Sequence, residues 1–175
     1  AAIVAASAQV ELYDIETGSE VYRAGIGTEP PVTEARTPER MTEAVRERVE
    51  ATFAAGRFPV VLGGEHSVSL GAVQAALERY SELTVLQLDA HADLRPDYHG
   101  SPYNHACVMA RVRELCPIVQ VGIRSMDAAE RAAMDPARVF FAEGIVGAAT
   151  RARSSAGLRQ PLLRQPVSCP PPACM

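Results

Sequence analysis

The amino-acid sequence predicts an α/β fold built on a mostly parallel sheet. Short apolar runs typical of buried strands alternate along the chain with segments of helical periodicity, which is the pattern of successive right-handed β-α-β crossovers. The run Phe58–Leu62 is wholly apolar rather than alternating, as expected where a sheet is covered on both faces. With 175 residues, 47% of them hydrophobic, the chain is long enough for one domain with a sizeable core.

Helices are predicted where apolar residues recur every three or four positions. The clearest begins at Pro38, because Thr37 is a good N-cap and proline suits the first helical position. Val45 and Val49 lie on its apolar stripe, and it is expected to end near Ala55. The other helical segments are the end of a helix at Ala1–Ser7 and the runs Ser67–Tyr80, Asn104–Leu115 and Asp127–Met134.

Strands are predicted at apolar runs that turn or loop residues bound. These runs are Phe58–Leu62, Leu83–Leu88, Pro117–Ile123 and Val139–Phe141. Nearer the start, Val10–Ile15 is expected to be extended and to be followed by a turn at Thr17–Ser19, and the stretch from Gly25 to Pro38 is typical of a loop. Strands and helices therefore alternate from about residue 58 to residue 141.

This pattern stops near Gly147, which divides the chain into a domain at residues 1–147 and a tail at residues 148–175. All 21 acidic residues precede the boundary, together with 13 of the 17 arginines, so the domain has a formal charge of −8. The tail is rich in arginine and proline and has no periodicity. We expect it to be disordered or non-native, for example an out-of-frame product of G+C-rich DNA.

Composition also bears on partners and location. The acidic main body argues against nucleic acid as a partner, because phosphate binding requires a basic face. No apolar run approaches the roughly 18 residues that a membrane helix needs, and the start shows no signal-peptide pattern, so a cytoplasmic protein that binds no membrane is expected. The four cysteines fit neither a zinc site nor a disulfide framework.

Two polar clusters follow two successive predicted strands. His66 comes after Gly63 and Gly64 at the end of the first, and the segment Asp89–Asp93 ends the next. Ligands of open α/β sheets bind beyond the carboxyl ends of the strands, so the clusters could converge. A hydrogen-bonded core histidine or a helix-capping aspartate would explain either cluster alone, but hardly both at the same edge.

The residue types in these clusters are those of a metal site. In an extended chain Asp89, His91 and Asp93 point to one side, with two alanines behind them. Together with His66 they offer two imidazole nitrogens, two carboxylates and no thiolate. Mixed nitrogen and oxygen ligation suits manganese, iron, nickel or zinc rather than copper(I) or an iron–sulfur cluster.

A third polar cluster contains His105, at a predicted junction between a loop and a helix. A histidine near a metal-bound hydroxide, but not bound to the metal, could transfer protons. Spacing alone leaves a purely structural role for His105 equally open.

Taken together, Gly63-Gly64-Glu65-His66-Ser67, Asp89-Ala90-His91-Ala92-Asp93 and Tyr103-Asn104-His105-Ala106 resemble the signatures of the ureohydrolase family, which includes arginases and agmatinases. The nearest members are agmatinases, and the resemblance covers roughly residues 1–147. It implies a three-layer α/β/α sandwich, a homo-oligomer, and two Mn²⁺ ions per subunit. It also implies hydrolysis of a small cationic guanidinium substrate, in agmatinase agmatine, to putrescine and urea.

The same resemblance assigns roles to residues. His66, Asp89 and Asp93 would hold one Mn²⁺, and His91 and Asp89 the other, with Asp89 bridging. His105 matches the catalytic histidine of the family. Other members act on guanidinobutyrate, guanidinopropionate, formimidoylglutamate or arginine, and the sequence does not distinguish among these substrates.

The chain also departs from the family pattern. A second Asp-x-Asp pair that completes both metal sites is expected after Gly147, but no aspartate follows Asp135. Ala1 already lies in a predicted helix, so the fold is expected to be incomplete at both its C-terminal and N-terminal ends. The sequence therefore predicts a fragment that holds Mn²⁺ weakly, and a non-catalytic fragment or pseudo-enzyme remains an alternative.

Overall fold

The structure is a computed structural model that describes residues 2–34 and 36–147. It contains two compact units, one up to Thr33 and one from Glu34 onward. The tail predicted at residues 148–175 lies outside the described residues. No helix in the described ranges has the length and apolar character needed to cross a membrane.

The first unit consists of short helices and a turn. Helix α1 spans Ala2–Ser7, and a 3₁₀ helix spans Val21–Ala24. The turn predicted around residue 18 is present, because the carboxylate of Asp14 accepts hydrogen bonds from the next backbone N–H groups, and Asp14 forms a single antiparallel bridge with Ser19. The extended segment predicted just before it forms no strand beyond that bridge.

In the described part of the second unit, residues 142–147 are helical, and four further helices have ends that follow from local sequence. Helix α2 starts where predicted, since the Thr37 side chain accepts a hydrogen bond from the Arg40 N–H. Helix α5 begins with a capping box between Asp127 and Glu130. The bounds are Pro38–Ala54 for α2, Ser69–Arg79 for α3, Val108–Val112 for α4 and Ala128–Ala133 for α5.

Two predicted helices begin instead with a 3₁₀ turn. A 3₁₀ helix at His66–Val68 precedes α3, and another at His105–Cys107 precedes α4. In each case the residue before the turn caps it, with Glu65 accepting from the Ser67 N–H and Asn104 accepting from the Ala106 N–H. Both histidines therefore stand at the first position of a capped turn.

The second unit is built on a parallel three-stranded sheet, which confirms the predicted fold class. Strands β1 (Val85–Leu88), β2 (Ile118–Ile123) and β3 (Val139–Phe141) lie in the order β1-β2-β3, with both pairs parallel. The connections carry α4 and α5, as parallel crossovers require. The strand predicted to begin at Leu83 begins instead at Val85.

One face of the sheet packs against the helices. Ile123 of β2 is fully buried against Val108 and Val112 of α4, and Leu70 of α3 joins the same core. The opposite face carries Leu86, Leu88 and Phe140, which are at least half exposed. The described part of the second unit thus forms a sheet with helices packed on one of its faces.

The prediction of a strand at Phe58–Leu62 is wrong. This run lies outside the sheet and has no regular secondary structure, and the Phe58 side chain is 87% exposed. An apolar run becomes a buried strand only where a neighbouring strand pairs with it, and no described strand does so. The local composition of this run indicates a propensity to form a strand, but it does not show whether another strand is available to pair with it.

Candidate metal centre

The predicted ligands gather at the carboxyl ends of the strands. Asp89 directly follows β1, and its backbone N–H continues the ladder to the carbonyl of Val121. His66 begins the capped turn before α3, and Asp93 lies in the loop after β1. The edge that binds ligands in open α/β folds therefore carries these side chains.

Three of them form a compact cluster. The Nδ1 atom of His66 lies 2.7 Å from Oδ2 of Asp93 and 3.6 Å from Oδ2 of Asp89. One donor atom from each residue lies within 4.8 Å of the other two. Ligand atoms on opposite sides of an ion bound at 2.0–2.6 Å are roughly 4–5 Å apart, so the three residues fit around one divalent ion.

The backbone turns sharply at Asp93 and aims its side chain at His66. Asp93 has a φ of 53°, in the left-handed region, which aspartate tolerates better than most residues. Its carbonyl accepts hydrogen bonds from the N–H groups of Met109 and Ala110 at the start of α4. The sequence predicts that this segment is extended through Asp93, but the backbone leaves the extended conformation at that residue. As a result Asp93 is buried, whereas His91 is exposed.

His91 lies beside the cluster rather than within it. Its side chain is 65% exposed, and Nδ1 is 3.5 Å from Oδ1 of Asp89. The two oxygens of Asp89 thus face different histidines, Oδ2 toward His66 and Oδ1 toward His91.

Protonation in the cluster is tied to these contacts. The hydrogen bond to Asp93 raises the pKa of His66 above its ordinary value, against the opposing effect of partial burial, and nearby carboxylates add to the rise. Partial burial works to raise the pKa of Asp89, but hydrogen bonds from the His91 N–H and the Gln87 amide outweigh it and leave the pKa low. Asp89 is accordingly an anion at neutral pH.

His105 is connected to this region through Glu65. Its Nδ1 atom lies 3.2 Å from Oε1 of Glu65, whose other oxygen accepts hydrogen bonds from the N–H and hydroxyl of Ser67. The His105 ring also contacts the edge of Tyr98, with centroids 5.7 Å apart. The side chain is 56% exposed, so His105 is not a core residue.

Three buried polar residues that sequence reasoning did not single out surround the ligand loop. Gln87, Gln120 and Glu130 are each at most 5% exposed, and all three bond the segment 89–94. The signal available in the sequence was a glutamine in each of two otherwise aliphatic strands. Polar residues are common in strands with one exposed face, so that signal was weak.

We expect Mn²⁺ binding to weaken as the pH falls. A metal ion requires the neutral imidazole of His66, and the raised pKa lets a proton compete at a higher pH than it would for a free histidine, whose pKa is about 6.5. Below the raised pKa the affinity should fall roughly tenfold per pH unit. Calorimetric titration with Mn²⁺ between about pH 5.5 and about pH 8 measures this.

The raised pKa of His66 affects the stability of the metal-free fold in the opposite direction, because that stability decreases as the pH rises. A raised pKa means that protonated His66 stabilises the folded state at pH values below the unfolded pKa, and this contribution is lost as the pH rises through the folded pKa. Thermal melts of the metal-free chain over the same range check this. An Mn²⁺ affinity that does not change with pH would contradict His66 as a ligand.

The chain resembles known ureohydrolases over most of its length. A family model described as the arginase family matches residues 1–155. The N(1)-aminopropylagmatine ureohydrolase of Thermus thermophilus is 41% identical over 128 residues, which cover 72% of this chain and 44% of that protein. The agmatinase of Bacillus subtilis is 36% identical over 91 residues, 50% of this chain and 31% of that protein. The chain thus spans less than half the length of these relatives.

Solved structures agree with the fold. The agmatine ureohydrolase of Thermoplasma volcanium superposes with a TM-score of 0.70 and 30% identity, over 87% of this chain and 54% of that one. The arginase of Medicago truncatula gives a TM-score of 0.53 and 34% identity, over 59% and 34% of the two chains. Family match, sequence identity and fold agree, and this chain belongs to the arginase family.

Proposed function

We propose that this chain carries a manganese centre of a ureohydrolase that hydrolyses the C–N bond of a linear guanidinium compound of the agmatine type. The observation that carries the proposal is the cluster of His66, Asp89 and Asp93 at the carboxyl ends of the strands. Family membership supplies the reaction class, and relatives named agmatinase and N(1)-aminopropylagmatine ureohydrolase supply the substrate class.

In this proposal His66, Asp89 and Asp93 hold one ion, and His91 with the other oxygen of Asp89 contributes to a second. Bound divalent ions would supply a water of lowered pKa as the nucleophile. The opposite directions of the two Asp89 oxygens support the shared role of this residue. The anionic state of Asp89 and the neutral state of His66 at higher pH both suit metal ligation.

The substrate would meet an acidic surface. Glu65, Asp89 and Asp93 lie at the same end of the sheet, and the domain as a whole has an excess of carboxylates. Such a surface attracts a guanidinium cation and disfavours anionic compounds. We assign His105 the transfer of a proton to the leaving amine, because it is exposed at this end and Glu65 orients its ring from the Nδ1 side.

The names of the relatives point to two substrates within this class, agmatine and N(1)-aminopropylagmatine. N(1)-aminopropylagmatine differs from agmatine by an aminopropyl group on the amine nitrogen, so it is longer and has one more amine. The longer and more identical match to the aminopropylagmatine enzyme favours the second substrate over agmatine itself. Other ureohydrolase substrates, including arginine and guanidinobutyrate, carry a carboxylate, which neither agmatine nor N(1)-aminopropylagmatine has.

Urea release tests the proposal. The full chain, loaded with Mn²⁺, is expected to release urea from N(1)-aminopropylagmatine and from agmatine and to prefer both over arginine and guanidinobutyrate. His105→Ala should lower kcat by about 100-fold or more while Mn²⁺ binding is retained, as expected for loss of a general acid. Mn²⁺ bound at the cluster without urea from any of the four compounds would reject catalysis by this chain and favour the non-catalytic alternative.

A further inference from the structure

Two glutamines lie buried side by side in the sheet. Gln87 of β1 and Gln120 of β2 are register partners, and their side chains share the face that packs against the helices. Gln120 is 1% exposed and Gln87 is 5% exposed. A buried amide is unfavourable unless its polar atoms find hydrogen-bond partners, so the partners of this pair indicate its role.

Each amide nitrogen has two hydrogens, and all four are used. Gln120 Nε2 donates to Oε1 of Gln87 and, at 2.8 Å, to the carbonyl of Ala92. Gln87 Nε2 donates at 3.1 Å to the carbonyl of His91 and at 3.3 Å to Oδ2 of Asp89. Apart from the contact between the two amides, every one of these bonds ends in the segment 89–92.

We propose that Gln87 and Gln120 are positioning residues that fix the ligand loop between Asp89 and Asp93. The inference rests on the proposed metal centre. The two hydrogen bonds that Gln120 Nε2 donates hold the Ala92 carbonyl directly and hold Gln87 in its bonding orientation. Gln87 in turn fixes the carboxylate oxygen of Asp89 that faces His66.

The surroundings of the pair point to positioning rather than to core stability. On the same face of these strands, Val85, Ile118 and Ile123 pack in the apolar core. Aliphatic side chains at both glutamine positions would continue that core. Amides instead supply directional bonds to a loop that leaves the regular sheet after Leu88 and contains a left-handed residue at Asp93. Backbone hydrogen bonds to Arg124 and Ser125 hold the Ala90 carbonyl and the Ala92 N–H, whereas the amides hold the carbonyls of His91 and Ala92 and the Asp89 carboxylate.

Gln120→Met tests the proposal because it keeps the length of the side chain and removes both donors. We expect the variant to bind Mn²⁺ about 10-fold more weakly, as seen for loss of partners that orient metal ligands. Amide hydrogen exchange in residues 90–94 of the metal-free variant should be about 10-fold faster, with little change in α3 and α4. Gln87→Met should act alike, and the double variant should lose less than the product of the two single effects.

Ile118→Val is the matched control, since Ile118 lies on the same strand and face without a polar side chain. It should leave Mn²⁺ affinity and exchange in residues 90–94 unchanged. Exchange that rises equally throughout the core of Gln120→Met, or loop exchange and Mn²⁺ affinity equal to those of the unmodified chain, would overturn the proposal. Failure of the unmodified chain to bind Mn²⁺ would instead reject the metal centre, and loop exchange alone would then decide the positioning role.

Discussion

Asp89→Asn is expected to weaken Mn²⁺ binding by more than about 100-fold and to reduce urea release in proportion. Loss of a residue that only orients a ligand costs about 10- to 100-fold in affinity, and Asp89 is itself the proposed ligand shared by both ions. Asparagine retains the shape of the side chain and an oxygen that can accept the His91 N–H bond, which spans 3.0 Å. The change therefore removes charge from the centre and keeps the His91 bond, but it loses the hydrogen bond from Gln87 Nε2 to the second oxygen.

Calorimetric titration with Mn²⁺ measures the loss of affinity, and a thermal melt of the metal-free variant shows whether the fold is retained. Asp135→Asn is the control, because it removes the same charge from a residue that precedes β3 and pairs with Arg138 at the amino end of the strands. It should bind Mn²⁺ like the unmodified chain. Equal affinities for Asp89→Asn and Asp135→Asn would show that Mn²⁺ binds elsewhere.

The location of the candidate site could be predicted from the sequence because it depends on topology. His66 and Asp89 each follow an apolar run, and parallel strands bring their carboxyl ends to one edge. That reasoning survives although the first run, Phe58–Leu62, is not a strand of the described sheet. The capped turn at His66 and the strand β1 are sufficient to bring both side chains to the same end.

The detailed geometry could not be predicted, because it depends on backbone angles and on distant residues. Alternation along an extended chain places Asp89, His91 and Asp93 alike, whereas the left-handed conformation at Asp93 buries its side chain and leaves His91 exposed. The Asp93 carbonyl accepts hydrogen bonds from the N–H groups of Met109 and Ala110, which belong to a helix that begins well after Asp93 in the sequence. No local pattern specifies such contacts.

Strand partners were equally hidden from local sequence. Phe58–Leu62 is more apolar than Leu83–Leu88, yet of these two described runs it is the second that finds a neighbour, since Val85 to Leu88 pair with β2. Strand propensity expresses fit to a pleated, partly buried surface and is decided by what pairs with the segment. The same limit applies to Gln87 and Gln120, whose meaning appears only when the two strands are in register.

Glu130→Ala is expected to lower the free energy of unfolding by about 3 kcal/mol, because two buried hydrogen bonds to a charged group are lost, each worth about 1.5–3 kcal/mol. Oε1 of Glu130 accepts from the Leu94 N–H at 3.0 Å, and Oε2 accepts from the Asp127 N–H at 2.9 Å. The first bond joins α5 to the residue that follows Asp93, and the second closes the capping box. Without the carboxylate, the buried Leu94 N–H has no acceptor.

Urea denaturation of the metal-free chain measures the loss, and Mn²⁺ titration of the same variant shows its effect on the ligand loop. Glu130→Gln keeps one acceptor oxygen and should lose only about 1 kcal/mol. Glu143→Ala removes the same side chain from an exposed position in the helical residues 142–147 and should change stability by less than about 0.5 kcal/mol. If Glu130→Ala proves no more destabilising than Glu143→Ala, the Leu94 bond is not what holds the segment after Asp93.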